Sequence, residues 1–347
     1  MRNGKLLGLY IEICSACNQN CCYCYNEKII KQNISLPCKD IFRIIEEAKE
    51  MGINVITLSG GEPLCHPHIR DIVEFIYRQG CKAVIITNAT LINNEMAFFL
   101  GRFKPELQLT LDGGVENIHD MSRGNGTFKK QDAAIKLLKA NGYNDSIVIR
   151  TNLWENNCSL ENINSILQYC QSYGIKQLNV ALAHKTDRFS QVVDDYESCM
   201  NISQWIKKLE ESYKDIEIEF KEGKIELGCP FVSEDVTINC GIRVTPDGDV
   251  YPCQLFDDPL FRIGNIKSQS IESILNGKLL SDFLDMMRIR TSFIRECVEC
   301  AFQGACNGGC PAKIFMQHGN ILSVDQKCID RKKILQSGLI EMSKIKT

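Results

Sequence analysis

The first half of the chain alternates short apolar segments with helical segments, and this alternation restricts the possible folds more than any other feature. Between the apolar segments, hydrophobic residues recur at three- and four-residue steps and the pattern ends at a glycine, as in CKDIFRIIEEAKEMG (38–52) and FKKQDAAIKLLKANG (128–142). The apolar segments predict six strands: LLGLYIEI (6–13), NVITLSG (54–60), KAVIITN (82–88), ELQLTLD (106–112), SIVIRTNL (146–153) and QLNVALA (177–183). Such alternation predicts a parallel sheet covered by helices, either open or curved into a barrel.

The polar residues of this region stand at the carboxyl ends of the predicted strands. Cysteines follow the first strand, and the other ends carry GGEP (60–63), TN (87–88), LDGG (111–114) and TN (151–152). One concave face built from many strand ends is the barrel arrangement, whereas an open sheet normally uses one or two switch-point loops. We therefore expect an α/β fold with a partial (β/α)6 TIM-type barrel.

The alternation stops after about residue 190, where a helical stretch leads into a cysteine-rich region. We expect one module over residues 1–224, consisting of the barrel and a bridging helix. A small second module should cover residues 225–347 and finish with a C-terminal helix.

Composition excludes several classes of protein. A net charge of −3 provides no basic field for nucleic acid, and no apolar segment approaches the roughly 20 residues of a membrane span. A cytoplasmic location is therefore expected. The 19 cysteines would then stay reduced, which leaves metal ligands, a catalytic thiol or buried apolar side chains as their roles.

Three cysteines near the N-terminus form a spaced set. Cys17, Cys21 and Cys24 obey C-x(3)-C-x(2)-C. A structural zinc site closes with four protein ligands, whereas an iron–sulfur cubane held by three thiolates leaves one iron open. The spacing alone also permits a zinc-binding loop in which Cys14 or Cys22 supplies the fourth ligand.

The C-terminal region holds a second set of cysteines, whose number suggests two complete four-cysteine sites. Either zinc or iron–sulfur clusters would satisfy that number. The set comprises Cys229, Cys240, Cys253, Cys297, Cys300, Cys306, Cys310 and Cys328.

Cys17, Cys21 and Cys24, followed by SGGEP (59–63), are similar to the motifs of the radical S-adenosylmethionine (radical SAM) superfamily. The resemblance covers residues 6 to about 190. It implies that these three cysteines bind a 4Fe-4S cluster whose open iron chelates SAM, and that a 5'-deoxyadenosyl radical abstracts a substrate hydrogen. Cys14 and Cys22 would lie outside the ligand set.

The same resemblance implies a set of SAM-binding residues. Gly60 and Gly61 are expected to let the backbone approach a ligand, and Glu62 to accept a hydrogen bond from the methionine ammonium group. Tyr23 should lie beside the adenine. The ribose hydroxyls or the methionine carboxylate would be bound by residues at strand ends: Asn88, Thr110, Asp112 and, if their side chains point inward, Arg150 and Asn152.

The C-terminal pattern resembles the SPASM module, which implies two auxiliary 4Fe-4S clusters and three clusters in all. One would be held by Cys229, Cys240, Cys253 and Cys310, and the other by Cys297, Cys300, Cys306 and Cys328. Without Cys229, the first cluster would keep an open iron. TPDGDVYPC (245–253) predicts a hairpin with Asp247 and Gly248 at its turn.

The resemblance implies a maturase that forms a thioether or carbon–carbon crosslink, or an oxidised side chain, in a ribosomal peptide. A separate leader-binding protein and a flavodoxin or ferredoxin electron donor are the expected partners. HDMSRGNGTF (119–128) resembles a segment of such maturases, although His119 is expected to pack or cap. No catalytic side chain is assigned.

Three alternatives remain. Anaerobic sulfatase-maturing (formylglycine-forming) enzymes carry an Asp after the cysteine of YPC, where this chain has Gln254, although Asp257 or Asp258 could substitute. A SPASM-type oxidoreductase acting on a small metabolite is the second. A cysteine-rich zinc or electron-transfer scaffold without SAM chemistry is the third.

Overall fold

The computed structural model describes residues 8–26, 30, 32–144, 146–186, 188–193, 195–220, 242–325, 327–333 and 335–336. The strands in these ranges are β1 (Leu9–Cys14), β2 (Val55–Gly60), β3 (Lys82–Thr87), β4 (Glu106–Thr110), β5 (Ile147–Leu153), β6 (Gln177–Leu182), β7 (Glu217–Phe220), β8 (Ile242–Val244), β9 (Asp249–Tyr251) and β10 (Gly264–Asn265). The helices are α1 (Cys38–Glu50), α2 (Ile69–Arg78), α3 (Asn94–Phe103), α4 (Glu116–Arg123), α5 (Thr127–Ala140), α6 (Leu160–Ser172), α7 (Tyr196–Glu210), α8 (Ile271–Leu275), α9 (Lys278–Ile289), α10 (Arg295–Val298), α11 (Gln303–Cys306) and α12 (Pro311–His318).

Strands β1 to β7 lie side by side in chain order, and every neighbouring pair is parallel. The six predicted strands and the α/β class are confirmed. The alternation continues one step further than predicted, through α7 to β7. The sequence EIEF of β7 is short and places a glutamate at every second position, so its apolar content is too low to be recognised as a strand.

The C-terminal strands extend this same sheet. β8 pairs in parallel with the outer edge of β1, with Leu9 opposite Ile242, while β9 and β10 continue it in antiparallel pairs. The predicted hairpin is confirmed, with Gly248 at a φ of 90° in its turn. The expected module boundary at residue 224 falls within 221–241, outside the described residues, but the two modules share one sheet.

Amphipathic helices cover the sheet and bury its apolar side chains. α1, for example, turns Ile41, Ile44 and Ile45 into the core, where each contributes roughly 1.5–3 kcal/mol by leaving water. Side chains fix where helices begin: Ser159 accepts a hydrogen bond from Asn162 N at the start of α6. Among the described helices, none has the length and apolar composition that crossing a membrane would require. Because neighbouring strands β1 to β7 are parallel, their carboxyl ends meet at one edge of the sheet.

Candidate active site

A cavity of about 220 Å³ opens at the carboxyl ends of the parallel strands. Its walls include most of the side chains predicted from the strand ends: Cys17, Cys21, Tyr23, Cys24, Gly60, Gly61, Glu62, Asn88, Thr110, Arg150 and Asn152. A second cavity of about 390 Å³, near Lys82 and Glu106, lies at the opposite ends of the strands. Catalytic groups of barrel enzymes collect at the carboxyl ends, so the smaller cavity is the candidate site.

The loop that follows β1 carries the three spaced cysteines. Cys17, Cys21 and Cys24 are half-buried and interact electrostatically with one another. Burial, with Glu62 and the other two thiols acting in the same direction, raises the pKa of Cys17 to about 12, and burial raises the pKa of Cys24 to about 11. At neutral pH the Cys17 and Cys24 thiols therefore become thiolates only when a cation binds them.

The three-cysteine donor set suits a cluster with one open iron. Within the residues that the structure describes, no group of three or more His, Cys, Asp or Glu side chains is arranged to hold one metal ion. The thiolates of a cubane bind different irons and stand farther apart than the ligands of one zinc ion. Cys14 is fully buried at the end of β1, and its Sγ donates to the carbonyl oxygen of Glu62 at 3.3 Å, so it does not complete a zinc site.

The two glycines at the end of β2 lie in close contact with the start of the cysteine loop. A Cβ on Gly60 would stand 2.1 Å from the carbonyl oxygen of Cys14, and one on Gly61 would stand 2.3 Å from the carbonyl oxygens of Ser15 and Ala16. Gly61 N also donates to Cys14 O at 2.8 Å. The glycines line the cavity, but the close approach that excludes a side chain is to the base of the cysteine loop.

The Glu62 carboxylate is largely occupied by the protein itself. Its oxygens accept hydrogen bonds from Leu64 N at 3.0 Å, Thr87 Oγ1 at 2.6 Å and Asn88 N at 2.8 Å. Burial raises the pKa of Glu62, and these three bonds act against that rise. Since a carboxylate has about four acceptor positions, one remains for an ammonium group.

Asp112 differs from the other predicted strand-end residues in its surroundings. The residue is fully buried and is absent from the cavity wall, and its carboxylate accepts hydrogen bonds from Tyr23 Oη, Ser122 Oγ, Arg123 Nε and Asn152 N. Burial acts to raise its pKa, but the Arg123 guanidinium holds the pKa of Asp112 below its ordinary value. Three of the four bonds fall on Oδ2 and bind it to Tyr23, Ser122 and Arg123. Because the carboxylate is buried away from the cavity wall, we interpret Asp112 as the group that positions Tyr23 and Arg123.

Arg123 is a cavity residue that sequence reasoning missed. It is 8% exposed, donates through Nη2 to Tyr23 Oη, and its guanidinium carbon stands 5.3 Å from the centre of the Tyr23 ring. His119, one helical turn earlier on α4, is buried; burial lowers its pKa to about 4, and its Nδ1 accepts from Asp112 N at 3.3 Å. The packing role expected for His119 is confirmed. Arg123 follows His119 by four residues and therefore lies on the same face of α4, and this spacing was the sequence signal that could have identified Arg123.

The C-terminal module contributes one wall of the cavity through Arg243, Gln254, Leu255, Asp257 and Met316. Asp258 is turned away and caps a short 3-10 helix by accepting from Leu260 N at 2.9 Å. His184, just after β6, lines the same cavity; burial first, and then Lys313 and Arg150, lower its pKa to about 4. Its imidazole is therefore neutral at pH 7.

The predicted auxiliary ligands are described in part. Burial raises the pKa of Cys297, and Cys328, Cys306 and Cys300 raise it further, so these four thiols stand near one another as the second set requires. Of the first set, Cys253 and Cys310 are half-buried against the core, whereas Cys229 and Cys240 lie outside the described residues.

Comparisons with known proteins match both parts of the chain. Residues 11–163 match the family model of the radical SAM superfamily. Residues 237–301 match the model of SPASM, an iron–sulfur cluster-binding domain.

Curated relatives are similar over most of this chain. The antilisterial bacteriocin subtilosin biosynthesis protein AlbA of Bacillus subtilis is 27% identical over 87% of this chain, which spans 66% of AlbA. A cysteine-type anaerobic sulfatase-maturating enzyme of Clostridium perfringens is 25% identical, with 93% of each chain covered.

Among solved structures, SuiB of Streptococcus suis bound to S-adenosylmethionine has a TM-score of 0.75. It is 19% identical, with 93% of this chain and 77% of SuiB covered, so the likeness concerns the fold. SuiB has also been solved with its precursor peptide SuiA.

Proposed function

We propose that this protein is a peptide maturase of the radical SAM type, because residues 11–163 match the radical SAM superfamily and residues 237–301 match the SPASM iron–sulfur cluster-binding domain. It would cleave SAM reductively and use the 5'-deoxyadenosyl radical to abstract a hydrogen atom from a ribosomal peptide. The product would be a thioether or carbon–carbon crosslink, or an oxidised side chain. The observation that carries the proposal is one cavity whose walls include Cys17, Cys21 and Cys24 on one side and the C-terminal module on the other.

The cysteine trio fits a 4Fe-4S cluster with one open iron, which would supply the electron for SAM cleavage. The protein's own groups would orient the SAM molecule. The remaining acceptor position of Glu62 suits the methionine ammonium group, and the Arg123 guanidinium suits its carboxylate. Tyr23, Asn88, Thr110 and Arg150 line the same cavity and would contact the rest of the nucleoside or the carboxylate.

Two auxiliary clusters would lie in the C-terminal module. The proposed ligands are Cys229, Cys240, Cys253 and Cys310 for one and Cys297, Cys300, Cys306 and Cys328 for the other. The electrostatic grouping of the second set supports its half of this assignment. A flavodoxin or ferredoxin would deliver the electron, and a separate protein would hold a leader peptide.

A peptide substrate is supported by the relatives. AlbA takes part in bacteriocin biosynthesis, and SuiB has been solved with a precursor peptide. In this chain the substrate side of the cavity offers Gln254, Asp257, His184 and Met316, a mixed wall that suits a peptide segment with both polar and apolar groups.

The decisive experiment uses anaerobically reconstituted protein. We expect about 12 iron atoms per chain, the content of three 4Fe-4S clusters, and 5'-deoxyadenosine after addition of dithionite and SAM. The variant with Cys17, Cys21 and Cys24 all changed to Ala should lose the 5'-deoxyadenosine, measured by liquid chromatography and mass spectrometry. Cys38→Ala, at the start of α1 and away from the cavity, is the matched control and should retain it. If the triple variant produces as much 5'-deoxyadenosine as the wild-type protein, the proposal is refuted.

Formylglycine formation is the second candidate, because Asp257 lines the cavity where a proton acceptor would be needed. Peptides encoded beside this gene and a sulfatase peptide with its target cysteine should be incubated separately with the holoenzyme. Loss of two hydrogen atoms from a neighbouring-gene peptide supports the maturase. Formylglycine in the sulfatase peptide, abolished by Asp257→Asn, supports the second candidate.

A further inference from the structure

One guanidinium group joins the two modules beside the cavity. Arg243, in β8, is 1% exposed. Its Nη2 donates to Glu12 Oε2 in β1 and to Asn26 Oδ1, each at 3.0 Å. Its Nη1 donates to the carbonyl oxygens of Phe256 at 3.1 Å and Gln254 at 3.4 Å.

Three of the four contacted residues, Asn26, Gln254 and Phe256, follow a proposed cluster ligand by one to three positions. Asn26 follows Cys24 by two residues, and its Nδ2 donates to Glu12 Oε1 at 3.1 Å and to the carbonyl oxygen of Gly60 at 3.3 Å. Gln254 is the residue after Cys253. The Arg243 side chain therefore holds the end of the N-terminal cysteine loop and the start of the segment after Cys253 at the same time.

Stability alone is a poor explanation for this arrangement. Removing two charges from water costs so much that apolar side chains of similar volume are often as stabilising as a buried ion pair. In addition, the buried Nε of Arg243 has no hydrogen-bond partner among the described residues. Apolar side chains could not orient the neighbouring segments, whereas four hydrogen bonds from one planar guanidinium group fix the positions of four oxygen atoms relative to one another.

We propose that Arg243 is a positioning residue that couples the SAM-binding loop to the Cys253 segment, so that SAM binds more tightly when the adjacent auxiliary cluster is present. This inference rests on the proposed function of both cysteine sets. Coupling between two sites is reciprocal, so bound SAM should also slow the loss of that auxiliary cluster.

The test compares SAM dissociation constants of reconstituted holoenzymes by equilibrium dialysis. We expect Cys253→Ala to weaken SAM binding about tenfold in the otherwise unchanged protein, a typical size for such coupling. In the Glu12→Leu/Arg243→Met background, SAM binding should already be about tenfold weaker, and Cys253→Ala should add no further loss. The electron paramagnetic resonance change that SAM produces in the reduced N-terminal cluster gives an independent readout of the same loop.

Two further variants keep the test decisive if the double apolar variant fails to load iron. Asn26→Ala removes the link from Arg243 to the cysteine loop, together with the Asn26 bonds to Glu12 and Gly60, but it leaves the ion pair of Arg243 and Glu12 in place. It should abolish the coupling. Arg243→Lys keeps the charge but not the planar fork, so a positioning role predicts that it behaves as Asn26→Ala does. Recovery of the coupling by Lys would show a charge effect instead and overturn the proposal.

Arg262→Gln is the matched control, because Arg262 pairs with Asp249 at 3.2 Å on the same hairpin but faces solvent. It should leave SAM affinity unchanged. Wild-type affinity in fully loaded Glu12→Leu/Arg243→Met protein refutes the coupling. Failure of the wild-type protein to bind SAM at all would instead refute the proposed function.

Discussion

Replacement of Asp112 by Asn distinguishes a positioning role from direct contact with SAM. The substitution preserves shape, but an amide has one acceptor oxygen where the carboxylate accepts four hydrogen bonds, one of them from the buried Arg123. Removing one partner of a buried ion pair costs about 3 kcal/mol or more. We therefore expect Asp112→Asn to lower the free energy of unfolding of the apoprotein by about 3 kcal/mol. Ser122→Ala, which removes one neutral hydrogen bond to the same carboxylate, should cost about 1 kcal/mol.

The assay is anaerobic urea unfolding of the reduced apoprotein, followed by SAM affinity of the reconstituted variants. Asp112→Asn should also weaken SAM binding, because Tyr23 and Arg123 lose their common acceptor. If Asp112→Asn weakens SAM binding but leaves the apoprotein within about 0.5 kcal/mol of wild type, the residue contacts SAM directly and our interpretation is wrong.

Three further predictions address other residues of the site. Gly61→Ala should lower iron loading of the N-terminal cluster and destabilise the apoprotein by at least about 2 kcal/mol, because its Cβ would overlap carbonyl oxygens of the cysteine loop. Normal iron content together with an unchanged free energy of unfolding would contradict this prediction. Burial lowers the pKa of His119 in the folded state to about 4. The neutral imidazole therefore contributes about 3 kcal/mol to the free energy of unfolding above about pH 6.5, and this contribution is lost as the pH falls towards 4. His119→Gln should flatten that part of the apoprotein's stability profile, and an unchanged slope would count against it. Arg123→Lys should raise the KM for SAM about tenfold with kcat less affected, because an ammonium group cannot donate two parallel hydrogen bonds as a guanidinium does. An unchanged KM would show that Arg123 does not bind SAM.

The fold and the cysteine loop could be predicted because both are encoded locally. Apolar periodicity identified β1 to β6, and a three-cysteine spacing lies within eight consecutive residues. The strand β7 was missed because every second residue is a glutamate. The alternation of side chains along a strand places Arg150 and Asn152 on the same face of β5, and both line the cavity.

The remaining features depend on residues that meet only in the folded chain. Asp112 ends a predicted strand, so its position alone suggested a ligand, whereas its burial and the hydrogen bonds that it accepts from Arg123 and Tyr23 appear only in three dimensions. The pair of Glu12 and Arg243 is separated by 231 positions, and neither residue stands in a motif. Charge pairs of this separation leave no periodic or spacing signal in a single sequence.

The pairing of β8 with β1 has a consequence for the order of assembly during synthesis. β1 leaves the ribosome first, and Cys14 at its end bridges Ser35. Among the described residues, however, the partner of Leu9–Ile11 on the outer edge is β8, which is complete only when Val244 has been made. Such a distant pairing is slow to form, and an unpaired strand edge invites association with other chains. A nascent chain ending near residue 224 would therefore carry an exposed template for aggregation, so the second module also acts as the cover that completes the first.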